Sequence, residues 1–569
     1  MSQATAPADR DHASVDEARR LAQRARQAAP LLAEFSQEQI DRIVDAMAAA
    51  ARPRAEAFAR LAVEETGFGL VADKIQKNVF ATDRVYEFIR PMKTVGVVRR
   101  DEERRVVEIA EPFGVVAAIV PSTNPTSTAI YKILIALKAR CPIVLSPHPS
   151  AARAITAVAE VMEAAARGAG APDGAISWMR HVSLAGTQEL MKSRDVAVIL
   201  ATGGLGLVRA AYSAGKPAYG VGPGNAPCFI ERSADVAKAA RDIVTGKSFD
   251  NGVLCSSPNS VVVESAVAEE ARRQFVSEDG YFLSPAEATT LAALLVTPQR
   301  LPNPKLVGKT ARYIAEQAGI TVPATTKVLI AELKGVGRDY PLSIEKLCPV
   351  LSYYVVSDWR EGCERCIQIL RYGGMGHTMS IHSKNEAVIL EFGLKKPAFR
   401  IVVNTPTTHG SIGLTTGLDP AMTLGCGGYG GNITSDNISP KHLLNIKRLA
   451  YELRPASTGA PRRMTDAAVV PEPVAALPKK AAEPVVQEVN AAAVQQQFSN
   501  LLGRPMPAAS SPPTSAPAPP VPFVCEDDVR QAIREQRKIV IGDRTIVTPA
   551  ARDLADAHRV FVEHQWPAR

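Results

Sequence analysis

The sequence of 569 residues lacks the features that mark membrane and secreted proteins. It has no apolar run of about eighteen residues, the length that a transmembrane helix requires. Residues 1–27 alternate charged residues with alanine and lack the apolar core of a signal peptide. The eight cysteines are scattered rather than arranged as a disulfide framework, which is typical of a reduced protein. These absences predict a cytoplasmic protein without a membrane segment.

Signals for metal and nucleic-acid binding are also scarce. Cys363 and Cys366 form the single CxxC of the chain. Because a zinc site needs about four ligands, we interpret them as structural thiols and predict no metal site. The formal net charge is +8, but no Lys/Arg run with interleaved aromatic residues marks a nucleic-acid-binding face. The positive charge instead suits a solvated surface or an anionic ligand such as a nucleotide or coenzyme A (CoA).

Apolar patterns in the first part of the chain predict an α/β fold. Residues 15–60 have a helical pattern, and the residues on its apolar faces are Leu31, Leu32, Phe35, Ile40, Ile43 and Met47. Two short β-branched runs, at 94–98 and 106–109, predict a hairpin (about 93–112) that we interpret as an oligomerisation arm. Strand–helix units then begin at 114–120, 141–145 and 196–200. This alternation predicts a parallel sheet with right-handed crossovers, whose ligands bind beyond the C-terminal ends of the strands.

The rest of the chain predicts a second α/β domain and a different tail. Further β-runs lie at 260–263, 328–331, 351–356 and 400–403. We therefore expect a cofactor-binding domain at 1–230 and a catalytic domain at 231–454.

The tail beyond residue 454 predicts a linker and a small appendage. The Pro/Ala-rich stretch 455–522 predicts a disordered linker, in which 486–502 forms an amphipathic patch. That patch is either a targeting helix or a transient helix without a role. Residues 523–569 predict a small ordered appendage, with a hairpin at Gly542-Asp543 and a helix over 550–563 that begins after Thr548.

Two stretches carry candidate chemistry. Cys255 follows the turn signal Asn251-Gly252 and precedes two serines, a context unlike a hydrophobic core. A thiol is a strong nucleophile once ionised, although a lone cysteine is more often buried and inert. The run Gly203-Gly204-Leu205-Gly206 follows an apolar strand. It is not a full GxGxxG fingerprint, so it indicates either a pyrophosphate site at a helix N-terminus or a tight turn.

Several longer stretches together indicate a family. They are PSTNPTSTAIYK (121–132), SPHPSA (146–151), ILATGGLGLVRAAYSAGKPAYGVGPGN (199–225), SFDNGVLCSS (248–257), EKLCP (345–349), GHT (376–378) and LGCGGYGGNITSDNISPKHLLNIK (424–447). Through these, residues from about 15 to 454 resemble the CoA-acylating branch of the aldehyde dehydrogenase superfamily. The sequence is similar to the aldehyde half of bifunctional aldehyde/alcohol dehydrogenases, and the alcohol dehydrogenase half is absent.

The resemblance implies a fold and an assembly. The expected fold has a Rossmann-like parallel-sheet cofactor domain, an α/β catalytic domain and a β-hairpin arm. The expected assembly is a homo-oligomer, either a dimer or a tetramer. Enzymes of this kind with an appended peptide are often cargo of bacterial microcompartments. The resemblance therefore also implies that the C-terminal extension binds shell proteins and that the enzyme lies in a microcompartment lumen.

The resemblance also assigns roles to individual residues. Cys255 would be the nucleophile, and the Asn124 side chain with the Cys255 N–H would form the oxyanion hole. His377 would be a proton relay or a CoA-site group, with a purely structural turn as the alternative. The residues that would bind the cofactor are Pro121, Ser146, Pro147, His148, Thr202, Gly203, Gly204, Gly222 and Glu345. For His148 the alternative is a loop cap, and for Glu345 a surface carboxylate. NAD is favoured over NADP, because residues 146–149 contain no lysine to bind a 2′-phosphate.

A missing carboxylate indicates which reaction follows. Hydrolytic aldehyde dehydrogenases place a water-activating glutamate on the segment before the cysteine strand, which here is 219–225. No Asp or Glu occurs from Val196 through Ile230. Water is a poor nucleophile without a base, whereas a thiol with a pKa near ~8.5 needs less help. We therefore expect a short-chain aldehyde, NAD and CoA to give acyl-CoA and NADH reversibly through a thioacyl-Cys255 intermediate. The alternatives are a hydrolytic aldehyde dehydrogenase and a non-catalytic shell or scaffold protein.

Overall fold

The computed structural model describes residues 7–454, 523–535, 537–541, 545–558 and 560–563. The chain divides into two compact units, one from Met1 to Gly459 and the other from Ala460 to Arg569. The predicted linker 455–522, its amphipathic patch at 486–502 and the Gly542-Asp543 turn lie outside the described residues. Among the described helices, none has both the length and the apolar character that a membrane crossing requires.

The first unit contains helices that surround two parallel sheets. They are α1 (Pro7–Ala33), α2 (Gln37–Ala51), α3 (Ala55–Thr66), α4 (Val71–Phe80), α5 (Tyr86–Ile89), α6 (Pro125–Lys138), α7 (Ala152–Gly168), α8 (Leu184–Lys192), α9 (Leu205–Tyr212), α10 (Val236–Ser248), α11 (Ser265–Ser277), α12 (Pro285–Leu295), α13 (Ala311–Gln317), α14 (Trp359–Tyr372), α15 (Glu386–Lys395) and α16 (Thr407–Ser411).

The predicted helical region 15–60 is divided into separate helices by a capping box. The Ser36 hydroxyl accepts the Gln39 N–H, and the Gln39 side chain accepts the Ser36 N–H, so α2 starts afresh at this point. Most of the predicted apolar residues are buried or partly buried, but Leu31 is 55% exposed. Its placement on an apolar face was wrong. Leu31 lies in the last turn of α1, which ends at Ala33, and its side chain points to solvent.

The described strands of the first unit form three sheets. They are β1 (Gly96–Asp101), β2 (Val106–Pro112), β3 (Val116–Val120), β4 (Ile143–Pro147), β5 (Ile176–Trp178), β6 (Val198–Thr202), β7 (Ala218–Val221), β8 (Ala226–Ile230), β9 (Pro258–Glu264), β10 (Gly280–Phe282), β11 (Val328–Glu332), β12 (Val350–Val356), β13 (Gly376–His382), β14 (Ala398–Val403) and β15 (Leu444–Ala450).

A five-stranded parallel sheet has the order β5-β4-β3-β6-β7. The direction of winding reverses between β3 and β6, so the loops after these two strands diverge and leave a crevice at the carboxyl edge. Lys132, buried in α6, donates to the carbonyl oxygens of Ile119 (2.7 Å) and Leu200 (2.9 Å), near the ends of these strands. Lys132 therefore links the ends of β3 and β6 next to the crevice in which a ligand would bind.

A seven-stranded parallel sheet has the order β10-β11-β12-β9-β8-β13-β14. Strands β8, β9 and β12 are neighbours in its centre, and their registers align Ala226 with Pro258 and Ser260 with Ser352. Because the three strands run in the same direction, the segments that precede them meet at one edge. These are the segments that contain Gly224, Cys255 and Glu345. Strand β8 joins this sheet although the predicted domain boundary follows it at residue 230, and that boundary stays a prediction.

The predicted hairpin is present as β1 and β2, which pair in antiparallel fashion. Strand β15, which we did not predict, pairs with the other side of β2, from Leu444 opposite Pro112 to Ala450 opposite Val106. The last described strand of the unit thus closes a sheet that begins near residue 96. The oligomerisation role of this sheet stays a prediction.

The second unit contains β16 (Phe523–Val524), α17 (Glu526–Arg534), β17 (Ile539–Ile541), β18 (Ile546–Val547), α18 (Pro549–His558) and β19 (Phe561–Glu563). Strand β16 pairs in parallel with β18, and β17 pairs in parallel with β19. The predicted hairpin of β17 with β18 was therefore wrong. The helix predicted to extend to residue 563 ends at His558, and Thr548 begins it by accepting the Ala551 N–H (3.4 Å).

Candidate active site

A cavity of about 460 Å³ lies where the carboxyl edge of the five-stranded sheet faces the amino edge of the seven-stranded sheet. It brings together all but one of the predicted site residues. These are Pro121, Asn124, Ser146, Pro147, His148, Thr202, Gly203, Gly204, Gly222, Cys255 and Glu345. His377 is not part of its lining. Residues from distant parts of the chain thus meet because two sheet edges face each other.

The loop that carries the nucleophile has an unusual backbone. Asp250 (φ 49°) and Asn251 (φ 53°) both adopt left-handed conformations, which Asn and Asp tolerate better than other non-glycine residues. Asn251 is held by a bond from its side-chain amide to the Gly308 carbonyl (2.8 Å). This turn delivers Cys255 to the cavity wall, where it is partly exposed.

The Cys255 thiol is protonated in this environment. Burial, followed by the charges of Glu345 and Cys426, raises the pKa of Cys255 to about 12, against the opposing effect of Arg400. A neutral thiol is a weak nucleophile, so attack on a carbonyl must be accompanied by loss of the thiol proton.

Among the described residues that line the cavity with Cys255, Glu345 is the one that has a carboxyl group. Its Oε1 accepts the Gly224 N–H (2.9 Å), and burial raises the pKa of Glu345 to about 8. Our prediction that no carboxylate activates water considered only residues 196–230, and the structure brings Glu345 into the cavity from the segment before β12. At neutral pH this carboxyl is mainly protonated and is therefore a poor acceptor for a proton from water.

The backbone of Gly224 lies directly against the loop that carries Cys255. A Cβ atom on Gly224 would lie 2.1 Å from the Cys255 carbonyl oxygen. The Gly224 carbonyl accepts the Asn259 side-chain amide (3.2 Å), which also donates to Ser257 O (3.2 Å). Only a residue without a side chain allows the Cys255 backbone and the His377 ring to pack this closely against it.

Asn124 stands at the start of α6 but makes no capping bond there. Its Oδ1 accepts a hydrogen bond from Lys77 Nζ (2.6 Å), and its Nδ2 donates to Thr123 Oγ1 (3.1 Å). The amide nitrogen has a second N–H to offer to the cavity, which Asn124 lines together with Cys255. This geometry suits an oxyanion donor.

The residues of the five-stranded sheet fit a dinucleotide. Gly204 forms the N-cap of α9, and a Cβ on Gly204 would meet nothing within 4 Å, so this helix end is open to a ligand. The buried Thr202 Oγ1 has no hydrogen-bond partner within the protein. A phosphate group at this turn would satisfy it.

Two predicted cofactor residues also have structural roles. The Ser146 hydroxyl bonds to Thr187 Oγ1 (2.8 Å). His148 Nδ1 accepts the Ser150 N–H (3.2 Å), so His148 both lines the cavity and caps the loop. Burial lowers the pKa of His148, which is therefore neutral at pH 7.

The structure separates His377 from the cavity. Its Nδ1 lies 3.0 Å from Thr378 Oγ1, and its Cδ2 lies 3.2 Å from the Cβ position of Gly224. Burial and the Arg400 charge lower the pKa of His377 to about 3, so the imidazole is neutral. His377 thus packs behind Gly224, and its role in proton transfer or CoA binding stays a prediction.

Sequence reasoning missed the apolar wall of the cavity and one charged residue. The apolar lining includes Ile412, Met422 and Leu424, whose sequence context resembles that of ordinary core residues. Lys77, which binds Asn124, lies on α4, and its helical pattern gave no signal of a buried cation. None of the described residues that line the cavity is Lys or Arg.

Comparison with known proteins identifies relatives along most of the first unit. The model of the aldehyde dehydrogenase family matches residues 3–279. The bifunctional aldehyde-alcohol dehydrogenase of Escherichia coli K12 is 42% identical over 442 residues, which cover 77% of this chain and 50% of that protein. The acetylating succinate-semialdehyde dehydrogenase of Clostridium kluyveri is 38% identical over 431 residues, covering 76% and 95%. The chain thus spans about half the length of the bifunctional relatives and nearly all of the shorter one.

Solved structures share the same fold. An acetylating aldehyde dehydrogenase from Geobacillus thermoglucosidasius has a TM-score of 0.77 and 49% identity, covering 79% of this chain and 99% of that one. A propionaldehyde dehydrogenase from a Clostridium phytofermentans fucose utilisation microcompartment has a TM-score of 0.69 and 28% identity (76% and 96%). The Rhodopseudomonas palustris propionaldehyde dehydrogenase, solved with CoA and an acylated cysteine, has a TM-score of 0.70 and 25% identity (76% and 96%).

Proposed function

The chain belongs to the acylating branch of the aldehyde dehydrogenase family, and on that premise we propose that it converts a short-chain aldehyde, NAD and CoA reversibly into acyl-CoA and NADH. One observation carries the proposal. A thiol, an amide donor and an open phosphate-type turn, provided by Cys255, Asn124 and residues 202–204, line a single cavity.

In the proposed mechanism Cys255 Sγ adds to the aldehyde carbon while the thiol proton passes to solvent water, and the product is the anion of a thiohemiacetal. The carbonyl oxygen becomes an oxyanion, which accepts hydrogen bonds from Asn124 Nδ2 and the Cys255 N–H. NAD, held by residues 202–204 and Glu345, would supply the hydride acceptor. Loss of the hydride from the former carbonyl carbon leaves an acyl group on Cys255. The CoA thiol displaces that acyl group and its proton passes to the Cys255 sulfur, and because one thioester replaces another, the reaction is reversible.

The lining of the cavity supports a choice of substrate and cofactor. An aldehyde with a carboxylate or sulfonate would bury an unpaired anion there, since no Lys or Arg lines the described cavity. We therefore propose a small uncharged aldehyde such as acetaldehyde or propionaldehyde. The same absence leaves a 2′-phosphate without a partner, which favours NAD over NADP.

Hydrolysis is the second candidate, because Glu345 lies near enough to Cys255 for its charge to raise the pKa of the thiol. A carboxylate at this place could activate water once it is ionised. Since the pKa of Glu345 is about 8, this route would gain strength only above that pH, with free acid as its product.

The experiment that tests the proposal is a substrate panel with wild-type protein. Acetaldehyde, propionaldehyde, succinate semialdehyde and sulfoacetaldehyde are each oxidised with NAD or NADP, with and without CoA, at pH 7 and 9. We expect CoA-dependent NADH formation with the two uncharged aldehydes. Free acid at full rate without CoA would establish hydrolysis, and no turnover under any condition would favour a non-catalytic scaffold.

The proposed assembly is a cytoplasmic homo-oligomer whose contacts include the β1-β2-β15 sheet. Microcompartment encapsulation is proposed through residues 486–502, which lie outside the described residues, and the microcompartment relative is consistent with it. Co-expression with shell proteins tests this. Equal co-purification of full-length protein and a variant ending at residue 454 would contradict a targeting role for the extension.

A further inference from the structure

Two buried lysines of α4 share one carboxylate oxygen. Lys74 Nζ lies 2.9 Å from Asp250 Oδ2, and Lys77 Nζ contacts the same oxygen more closely. The lysine side chains are each 2% exposed and the Asp250 side chain is fully buried. Buried charges of this kind are costly unless they are paired, and here both ammonium groups are paired with the Asp250 carboxylate.

Asp250 ties this cluster to the nucleophile loop. Its Oδ1 accepts the Leu70 N–H (2.7 Å), and its own N–H donates to Asp73 Oδ2 (2.7 Å). Gly69 leaves the space for the carboxylate, because a Cβ there would lie 1.9 Å from Asp250 Oδ1. Asp250 is five residues before Cys255, so the cluster fixes the beginning of the turn that delivers the thiol.

The two lysines differ in their remaining partner. Lys77 Nζ donates to the side-chain Oδ1 of Asn124 (2.6 Å), whereas Lys74 Nζ donates to the backbone carbonyl of Thr123 (3.0 Å). An amide side chain has one accepting end and one donating end. With its oxygen held by an ammonium group, Asn124 can present only its nitrogen to the cavity.

We propose that Lys77 is a positioning residue that fixes and polarises the Asn124 amide as a donor for the oxyanion. Without Lys77 the bond to the Thr123 hydroxyl remains, but a hydroxyl can donate as well as accept and so does not fix the amide orientation. The amide can then flip, and the flipped form places an oxygen where negative charge develops. The positive charge beside Oδ1 also withdraws electron density from the amide and strengthens its N–H donors. This inference rests on the proposed role of Asn124 in the reaction.

A double-mutant cycle tests the inference. The proteins are wild type, Lys77→Met, Asn124→Ala and the double variant, with Lys74→Met as the matched control. Lys74→Met removes a lysine from the same carboxylate but leaves the Asn124 side chain untouched. Each variant is assayed for CoA-dependent NADH formation from acetaldehyde and for Tm.

The expected result separates positioning from folding. Loss of a complete oxyanion donor lowers kcat by about 10²- to 10³-fold, so loss of its orientation should lower kcat by about 10- to 100-fold. We expect KM of Lys77→Met to change by less than about threefold. Both lysine variants should lose Tm to a similar degree, because each leaves the buried Asp250 with one lysine partner. The kcat of Lys74→Met should nevertheless stay within about threefold of wild type, because Lys77 still holds both Asp250 and Asn124. The double variant should be no slower than Asn124→Ala, because Lys77 acts through that side chain.

Two outcomes overturn the inference while the proposed function stands. One is an equal loss of kcat in Lys77→Met and Lys74→Met. The other is a loss of kcat in the double variant that equals the product of the losses in Lys77→Met and Asn124→Ala. An inactive wild type, or Asn124→Ala at full rate, would instead refute the proposed function. If Lys77→Met does not fold, Lys77→Gln takes its place in the cycle, since it removes the charge and shortens the donor with less disruption.

Discussion

Replacing Gly224 by alanine tests whether the position of Cys255 limits the reaction. The added Cβ would lie 2.1 Å from the Cys255 carbonyl oxygen, whereas Cβ contacts below 3.0 Å essentially never occur. The two segments must therefore separate by about 0.9 Å. Because Gly224 does not have a positive φ, the substitution adds no backbone strain of its own.

A displacement of the nucleophile by about 1 Å costs roughly 10²-fold in rate, so we expect kcat/KM to fall about 100-fold. The assay is initial NADH formation with acetaldehyde, NAD and saturating CoA, and a Tm measurement confirms that the variant is folded. Gly393→Ala is the matched control, since this glycine is exposed on α15 and a Cβ there meets nothing within 4 Å. A Gly224→Ala enzyme within threefold of wild type at unchanged Tm would refute the reasoning.

Three further predictions concern the nucleophile, the carboxyl group and the chain extension. Cys255→Ala should lower CoA-dependent NADH formation by at least about 10⁴-fold, and measurable turnover above that level would contradict the covalent mechanism. The pKa of Glu345 is raised to about 8 in the folded protein, so the stability that it contributes is complete below its unfolded pKa of about 4.3 and is lost as pH rises through 8. Glu345→Gln lacks this dependence. The Tm of Glu345→Gln minus the Tm of wild type should therefore increase from pH 6 to pH 9. A difference that stays constant over this range would show that the carboxyl is not buried as described. A protein that ends after residue 459 should keep wild-type kcat, because every residue of the described cavity lies in the first unit, and a tenfold loss would show that the extension takes part in catalysis.

The strands that could be predicted are those with uninterrupted apolar runs. Strands β3, β4 and β9 are buried along their whole length, and their sequences show it. Strands β5 and β10 have three residues each, too few to show a period. Strands β7 and β8 flank the stretch 222–225, whose Gly and Pro residues are typical of loops and interrupt the apolar pattern.

Strand β15 could not be predicted for a different reason. It is mostly exposed and contains charged residues, so neither burial nor alternation marks it. Its existence depends on β2, which is more than 300 residues away in the chain, and no local pattern contains that information.

The candidate site could be predicted where sequence stretches carry the family resemblance. Cys255, Asn124 and the cofactor turn lie in such stretches, and they meet in one cavity. The partners that set their electrostatics could not be predicted in the same way. Lys77 looks like a solvated residue of an amphipathic helix, and the approach of Glu345 to Cys255 depends on three strands lying side by side.

The pairing of β15 with β2 has a consequence for the order in which the protein acquires its structure during synthesis. Glu108 and Arg448, which bond across these strands, are separated by 340 residues. At a translation rate of about 5–20 residues per second, β2 emerges from the ribosome roughly 20–70 s before its partner exists. Its unpaired edge is exposed to other nascent chains for that time, so aggregation during expression should respond to charges placed on β2 more strongly than the stability of the finished protein does.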